Sequence, residues 1–249
     1  MKSLTKNSPY TFGREGAPDY IIVSSEKEKD VTADMMKIDE SRILNTGLGA
    51  LSTVGYKHIN QDSENYVTIM LTWKAYEENI YNFEETTYYQ NTVQVYNMLK
   101  KFVNPENIIV LAHPKVNELI HHTDLKNSLW DKSIAMALEK TKLLITDYSS
   151  VCYNAYYQGA GVVFYQPDLE LYELDNGKLI PNDNEYIGER TYTPEELETV
   201  LENVITNNEI QLDKLRNQHT DEVYKTINEF SDGKNIDRIC QKLIELNFV

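Results

Sequence analysis

From Tyr66 onward, short apolar runs alternate with stretches whose apolar residues recur every three or four positions. This alternation constrains the fold more than any other feature of the chain. Strands separated by helices pair as a mostly parallel sheet, and right-handed crossovers bring every strand's carboxyl end to one edge. Residues 66–71, 108–112, 143–146 and 162–165 read as strands. A long helix is predicted over 83–103, where Tyr89, Val93, Tyr96, Leu99 and Val103 share one face. Shorter helices are predicted over 133–141 and from Ser149. Thr193-Pro194-Glu195-Glu196 supplies an N-cap, an N1 proline and a capping-box glutamate for a helix to Ile205. Helices over 209–227 and 236–247 complete the pattern.

The first residues are organised differently. Residues 1–19 are polar and interrupted by Pro9, Gly13, Gly16 and Pro18, which predicts irregular chain. Residues 20–23 read as a strand. Ser25 followed by Glu28 is a capping-box pattern that opens a helix to Lys37, and residues 42–45 read as a second strand closed by Thr46-Gly47-Leu48-Gly49. This β-α-β piece is too small to be a domain. The expected division is therefore a remnant of an N-terminal domain at 1–50 and a doubly wound, Rossmann-like domain at 51–249.

Composition excludes several partners. A net charge of −15 over 249 residues argues against broad nucleic-acid binding, which needs a basic footprint. It also argues against electrostatic attachment to anionic lipid. No apolar stretch approaches the roughly 20 residues that span a bilayer, and the N-terminus lacks the apolar core of a signal peptide. Cys152 and Cys240 fall on apolar helix faces and read as reduced core thiols in a cytoplasmic protein. Eighteen tyrosines suit half-buried positions that need an apolar ring with a polar tip.

The converging strand ends carry the candidate chemistry. Thr146-Asp147-Tyr148-Ser149-Ser150 ends one strand and opens a helix, so hydroxyls and backbone N–H groups meet where an anion is favoured. Ser149 and Ser150 suit phosphate oxygens, or cap the helix, or do both. Asp147 either orders its loop or touches a ligand directly. His113 follows a strand and precedes Pro114, which stops that strand and lets the imidazole face the cleft as a base or a diphosphate contact. Trp73-Lys74 reads either as a core indole with a snorkelling lysine or as a cation facing phosphates. Asp168 would bind a ribose or glycerol hydroxyl, or cap the turn after Pro167. His121-His122 reads as a surface pair. Gly-x-Gly-x-x-Gly, a Walker loop and Cys/His metal spacings are all absent from the sequence, so no cofactor or metal is expected.

Residues 145–151 (Ile-Thr-Asp-Tyr-Ser-Ser-Val), Gly161-x-x-Phe164-Tyr165 and Asp168-Leu169-Glu170-x-Tyr172 resemble the CDP-glycerol glycerophosphotransferase family. Thr72-Trp73-Lys74, His113-Pro114, and Asp232-Gly233-Lys234 with Arg238 extend the resemblance over most of 20–249. The resemblance implies a GT-B arrangement of two Rossmann-like domains, and transfer of glycerol phosphate or a related polyol phosphate from a CDP-linked donor. The acceptor would be a hydroxyl of a polyol-phosphate or glycan polymer, lipid-linked as the resemblance implies, in teichoic acid or capsule synthesis. His113 would then be the catalytic or diphosphate-contacting histidine, with Lys74, Asp147, Ser149, Ser150 and Asp168 at the donor. A cytoplasmic protein, peripheral at the inner membrane face, is the implied location.

Three departures from the family pattern are visible. The family's acceptor-side His-Gly motif has no counterpart before residue 113, so the sequence is expected to be cut downstream of it. Thr46-Gly47-Leu48-Gly49-Ala50-Leu51 lacks the arginine and aspartate of the family's Thr-Gly-x-Pro-Arg-x-Asp. Lys74 replaces an arginine and loses bidentate phosphate contact. Two alternatives accompany the main reading: a sugar-nucleotide glycosyltransferase or epimerase on the same fold, and a binding module without turnover.

Overall fold

A computed structural model describes residues 18–52 and 65–248; the expectation for residues 1–17 lies outside the described residues. The chain divides into two compact units, 1–56 with 221–249, and 57–220. The sequence-based boundary near residue 50 lies close to the first division, but residues 221–249 group with the N-terminal segment and not with the second unit.

In the first unit, β1 (Ile21–Val23) pairs in parallel with β2 (Ile43–Asn45) through the crossover helix α1 (Glu26–Met36). Ser25 caps α1 by accepting from the Glu28 N–H. The Glu28 carboxylate reaches past Ser25 to accept from the Ser24 N–H at 2.7 Å. The predicted capping box is thus displaced by one residue. Lys37 closes α1 in the left-handed region at φ 54°.

The second unit is built on one parallel sheet. Its strands are β3 (Tyr66–Met70), β4 (Ile108–Val110), β5 (Thr141–Thr146), β6 (Gly161–Tyr165) and β7 (Glu189–Thr191), in the order β4-β3-β5-β6-β7. Between them run α2 (Thr87–Leu99), the short α3 (Asn117–Ile120), α4 (Ile134–Lys140), α5 (Val151–Tyr157) and α6 (Leu169–Asn176). After β7 come α7 (Pro194–Val204) and the two-residue strands β8 (Ile205–Thr206) and β9 (Glu209–Ile210), and α8 (Gln218–Ile227) runs across the division after residue 220. The last helix, α9 (Asn235–Glu245), belongs to the first unit.

The sheet is buried on both faces, which explains its continuous apolar runs. Val67, Ile69 and Leu71 pack with Leu143, Ile145, Val163 and Tyr165 under α2 and α7. Ile109 and Leu111 pack on the other side with Ala137 of α4. The long predicted helix begins later than expected, because Thr86 accepts from the Tyr89 N–H and residues 83–85 form a separate 3₁₀ turn. Its N-terminus is closed by Glu77, a buried carboxylate accepting from the Thr87 and Tyr88 N–H groups at 2.5 and 3.3 Å. The N-terminus of α7 carries the predicted capping box in full.

Two expectations are corrected. Residues 209–217 form no α-helix, only a 3₁₀ turn at 212–214: Asn207 and Asn208 adopt φ 52° and 64° and turn β8 back on β9. Paired asparagines in the left-handed region are the usual two-residue hairpin turn. Cys152 is buried as expected, with burial pushing its thiol up to about 12, but Cys240 is exposed on α9 and is not a core thiol.

The strand β7 approaches β6 closely through Gly188. A Cβ there would lie 2.1 Å from the Val162 carbonyl oxygen, a backbone atom that cannot swing aside. Gly188→Ala is therefore expected to destabilise the protein by about 1–3 kcal/mol, as overpacking does. Urea unfolding monitored by tryptophan fluorescence would show a lowered midpoint; an unchanged midpoint would contradict this packing.

Candidate functional site

In its strand order, the sheet reverses direction between β3 and β5. The chain goes outward from β3 to β4, then returns to place β5 on the other side of β3. Such a reversal splays the two following loops apart and opens a crevice at the carboxyl edge, where open α/β sheets bind ligands. Thr72 to Lys74 leave β3 at this point, and Asp147 to Ser150 leave β5.

Asp147 joins the two loops. Its carboxylate accepts from the Thr72 N–H at 2.9 Å, the Thr72 hydroxyl at 2.7 Å and the Tyr148 N–H at 2.6 Å. Burial pushes the Asp147 carboxyl up; Lys74 and these hydrogen bonds act in the opposite direction. The loop-ordering reading of Asp147 thus has an explicit geometry.

Lys74 is neither snorkelling nor facing an open cleft. Its side chain is 1% exposed, with Nζ 3.6 Å from Asp147 Oδ2 and 3.1 Å from Asp168 Oδ2. The ammonium is held between two carboxylates that come from the ends of β5 and β6. Asp168 also receives the Tyr148 hydroxyl on Oδ1 at 2.9 Å and the Tyr76 hydroxyl on Oδ2 at 3.2 Å. Burial, then the Asp168 charge, raises both phenol pKa values, so each phenol remains a hydrogen-bond donor. The Tyr148 ring stacks on Tyr172, centroids 3.7 Å apart and planes 8° from parallel. Gln166 ties the edge further by donating to the Asp147 carbonyl at 3.0 Å and accepting from Arg190 Nε at 2.9 Å.

The serines open α5. Ser149 Oγ accepts from the Val151 N–H at 3.4 Å. Ser150 is exposed at the N-cap position, yet its hydroxyl makes no capping bond. One serine therefore works as a cap and the other presents its hydroxyl outward.

His113 ends the segment after β4. Its Nδ1 accepts from the Lys115 N–H at 3.2 Å and so caps the 3₁₀ turn 114–116, while the His113 backbone N–H donates to the Tyr88 hydroxyl at 3.2 Å. An N–H can only donate, so Nδ1 carries the lone pair and Nε2 carries the proton in the neutral ring. That tautomer offers a donor to an incoming oxygen. A base acting through Nε2 would first have to give up the turn.

The structure thus brings Lys74, Asp147 and Asp168 into contact, and places Ser149 and Ser150 at the end of the same strand as Asp147. It gives His113 no direct contact with these groups. A groove of about 430 Å³ lies at the outer strand ends beside Trp73, Phe83, Tyr81 and Lys115, and Asp147, the serines and Asp168 do not line it. Trp73 is the packed indole of the first reading, edge-on to Tyr88 at 5.7 Å. His121 and His122 are exposed. Tyr76 and Gln166 were not singled out from sequence. The density of tyrosines is the one signal pointing to the former, while Gln166 stands at a converging strand end, which marks its place but not its role.

Thr46 to Gly49 and Asp232 to Arg238 belong to the first unit and hold each other. Asn235, fully buried, donates to the Leu48 carbonyl at 3.0 Å and accepts from Arg238 at 3.0 Å. Arg238 is also paired with Asp232. Gly47, at φ 78°, is bound to remain glycine because a Cβ would stand 2.5 Å from Asn235. Among the described residues, no helix is long and apolar enough to cross a membrane.

A parallel sheet with a switch point and clustered polar loops at its carboxyl edge defines a doubly wound α/β protein. A family model described as CDP-Glycerol:Poly(glycerophosphate) glycerophosphotransferase matches residues 5–245, and the chain belongs to that family. Among solved structures, the wall teichoic acid polymerase TagF superimposes with a TM-score of 0.64 at 19% identity, covering 91% of this chain and 57% of TagF. A TagF variant soaked with CDPG gives 0.65 at 18% identity, covering 93% and 59%. The UDP-GlcNAc 2-epimerase of Methanocaldococcus jannaschii gives 0.52 at 15% identity, covering 97% and 68%. The chain thus spans less than two thirds of the TagF chains, and these likenesses show a shared fold. No curated protein sequence matches the chain.

The His113 geometry has a measurable consequence. Burial, then the Lys115 charge, holds its pKa below the ordinary 6.5. Between the lowered value and 6.5 the unfolded chain binds the proton more readily, so this residue's contribution to stability rises with pH through that window and is lost as pH falls through it. Two-dimensional NMR of the imidazole is expected to show a midpoint below 6.5 and the Nε2-protonated tautomer at neutral pH. A midpoint above 6.5, or an Nδ1-protonated ring, would contradict the capping bond.

Proposed function

We propose that this chain carries the donor-binding half of a polyol-phosphate transferase. It would hold a CDP-linked glycerol, or a related CDP-polyol, for transfer of the polyol phosphate to a hydroxyl of a growing wall or capsule polymer. The observation that carries the reading is the gathering of Asp147, Ser149, Ser150, Lys74 and Asp168 at the switch point of the sheet. Family membership and the fold shared with TagF structures, one soaked with CDPG, support the choice of donor.

In this reading the diphosphate meets the N-terminus of α5, with Ser150 turned outward to it and Ser149 holding the loop. Nε2–H of His113 suits a diphosphate oxygen, and stabilises charge on the leaving CMP better than it abstracts the acceptor's proton. Asp147 and Lys74 support the loops without touching phosphate. Residues 1–50 belong to the acceptor side, with a polyol-phosphate or glycan chain as the acceptor. The protein acts at the cytoplasmic face of the membrane that carries this acceptor. A nucleotide-binding module without turnover is the second reading, favoured by the His113 tautomer.

Calorimetric titration with CDP-glycerol, CDP-ribitol and a UDP-sugar is expected to show preference for the CDP compounds; absence of that preference would sink the donor assignment. The double variant Ser149→Ala/Ser150→Ala should weaken CDP binding by roughly five- to tenfold while circular dichroism stays native, in keeping with the loss of hydrogen bonds to a charged group. Unchanged affinity would reduce both serines to structural caps.

A further inference from the structure

Asp168 occupies the N-cap position of α6, where aspartate normally accepts from the first free N–H groups of the helix. Here the side chain makes no capping bond, and the backbone is at φ −115°, ψ 28°. The carboxylate is instead turned toward Lys74, Tyr76 and Tyr148. A residue type suited to capping has given up that role, and three side chains from two other loops hold it in its alternative position.

Counting lone pairs shows what this position leaves open. A carboxylate offers about four acceptor sites, two per oxygen. Oδ2 accepts the Tyr76 hydroxyl at 3.2 Å on one site and faces the Lys74 ammonium at 3.1 Å as a charge contact without a hydrogen bond. Oδ1 takes the Tyr148 hydroxyl at 2.9 Å and keeps one site. Of the three charges, Asp168 is the one that solvent reaches: its side chain is 12% exposed, against 2% for Asp147 and 1% for Lys74. Two carboxylates share one ammonium, so the cluster repels a phosphate and welcomes an O–H donor.

We propose that Asp168 accepts one hydroxyl of the bound donor, and that Lys74, Tyr76 and Tyr148 are positioning residues that hold its carboxylate in place. The inference rests on the donor-binding reading above and adds polarity to it. The phosphates are directed to the serine loop and a hydroxyl-bearing part of the donor to Asp168. That hydroxyl belongs either to the ribose or to the polyol, chemically equivalent O–H donors that the following test separates. The stacked Tyr148–Tyr172 pair restrains the phenol that holds Oδ1, so the geometry is set before the ligand arrives.

The experiment is calorimetry on the full chain with three probes: CDP-glycerol, CDP and 2′,3′-dideoxy-CDP. Asp168→Asn is expected to lose about tenfold in affinity for the probes that carry the recognised hydroxyl, the scale of one hydrogen bond to a charged acceptor. Loss confined to CDP-glycerol assigns the polyol hydroxyl. Loss for CDP-glycerol and CDP, but not for the dideoxy compound, assigns the ribose. An equal loss for all three probes, or none, overturns the proposal. Lys74→Met and Tyr148→Phe should reproduce the same selectivity at smaller amplitude, about two- to fivefold for the phenylalanine variant, and Lys74→Arg should restore it. Should Lys74→Met fail to fold, Tyr148→Phe still decides, since it removes a single hydroxyl; unchanged affinities there overturn the positioning role. A wild-type protein that binds none of the probes would instead remove the donor reading itself.

Discussion

The second unit depends on a single buried ammonium. Placing a lysine where its side chain is 1% exposed costs several kcal/mol in lost hydration, which only close counter-charges can offset. Lys74 finds them at the ends of two other strands. Once it is placed, the loops after β3, β5 and β6 have little freedom to separate. Removing one member of such a group typically costs about 3–5 kcal/mol, because the remaining charges are left uncompensated. The carboxylates exceed the ammonium by one charge, and the excess is spread over the Thr72, Tyr76 and Tyr148 hydroxyls. The polar edge is therefore a rigid assembly of hydrogen bonds, and not a set of independent surface residues.

This arrangement changes the meaning of the residues near the switch point. A lysine after a strand suggests a cation reaching toward phosphate. Buried between two aspartates, it organises the edge and leaves anion binding to hydroxyls and backbone N–H groups at the start of α5. His113 follows the same logic: its Nδ1 holds a turn, which commits the ring to donating from Nε2. Both residues show that a group with an obvious chemical role can be engaged first by its own loop. What remains available to a ligand is set by what that engagement leaves over.

Much of the fold was legible in the sequence because its signals are local. Apolar runs marked four of the five strands of the main sheet, and Ser25 and Thr193 marked helix starts through their capping chemistry. β7 was not legible: Glu189-Arg190-Thr191 is a short edge strand with one buried residue, so it carries no apolar run. The helix expected at 209–217 is absent because Asn207 and Asn208 take the left-handed backbone of a hairpin turn, which ends helical chain. Exposure of Cys240 escaped a face-counting argument, since α9 has more apolar residues than its unit can cover. At the site, Asp147, the serines and Asp168 were found from strand ends. The direction in which Lys74 points depends on carboxylates 73 and 94 positions away in sequence, which no local pattern encodes.

The grouping of residues 221–249 with the N-terminal segment bears on the order in which the protein is made. The second unit is one uninterrupted stretch, so all of it has been synthesised by about residue 220. Residues 18–52 precede the second unit and their packing partner α9 follows it, and Asn235 is the residue that fills the space under the Gly47 turn. Translation therefore delivers the polar edge of the sheet before residues 18–52 can reach their final packing. A ribosome stalled late in the message would carry a complete switch-point site beside an unfinished first unit.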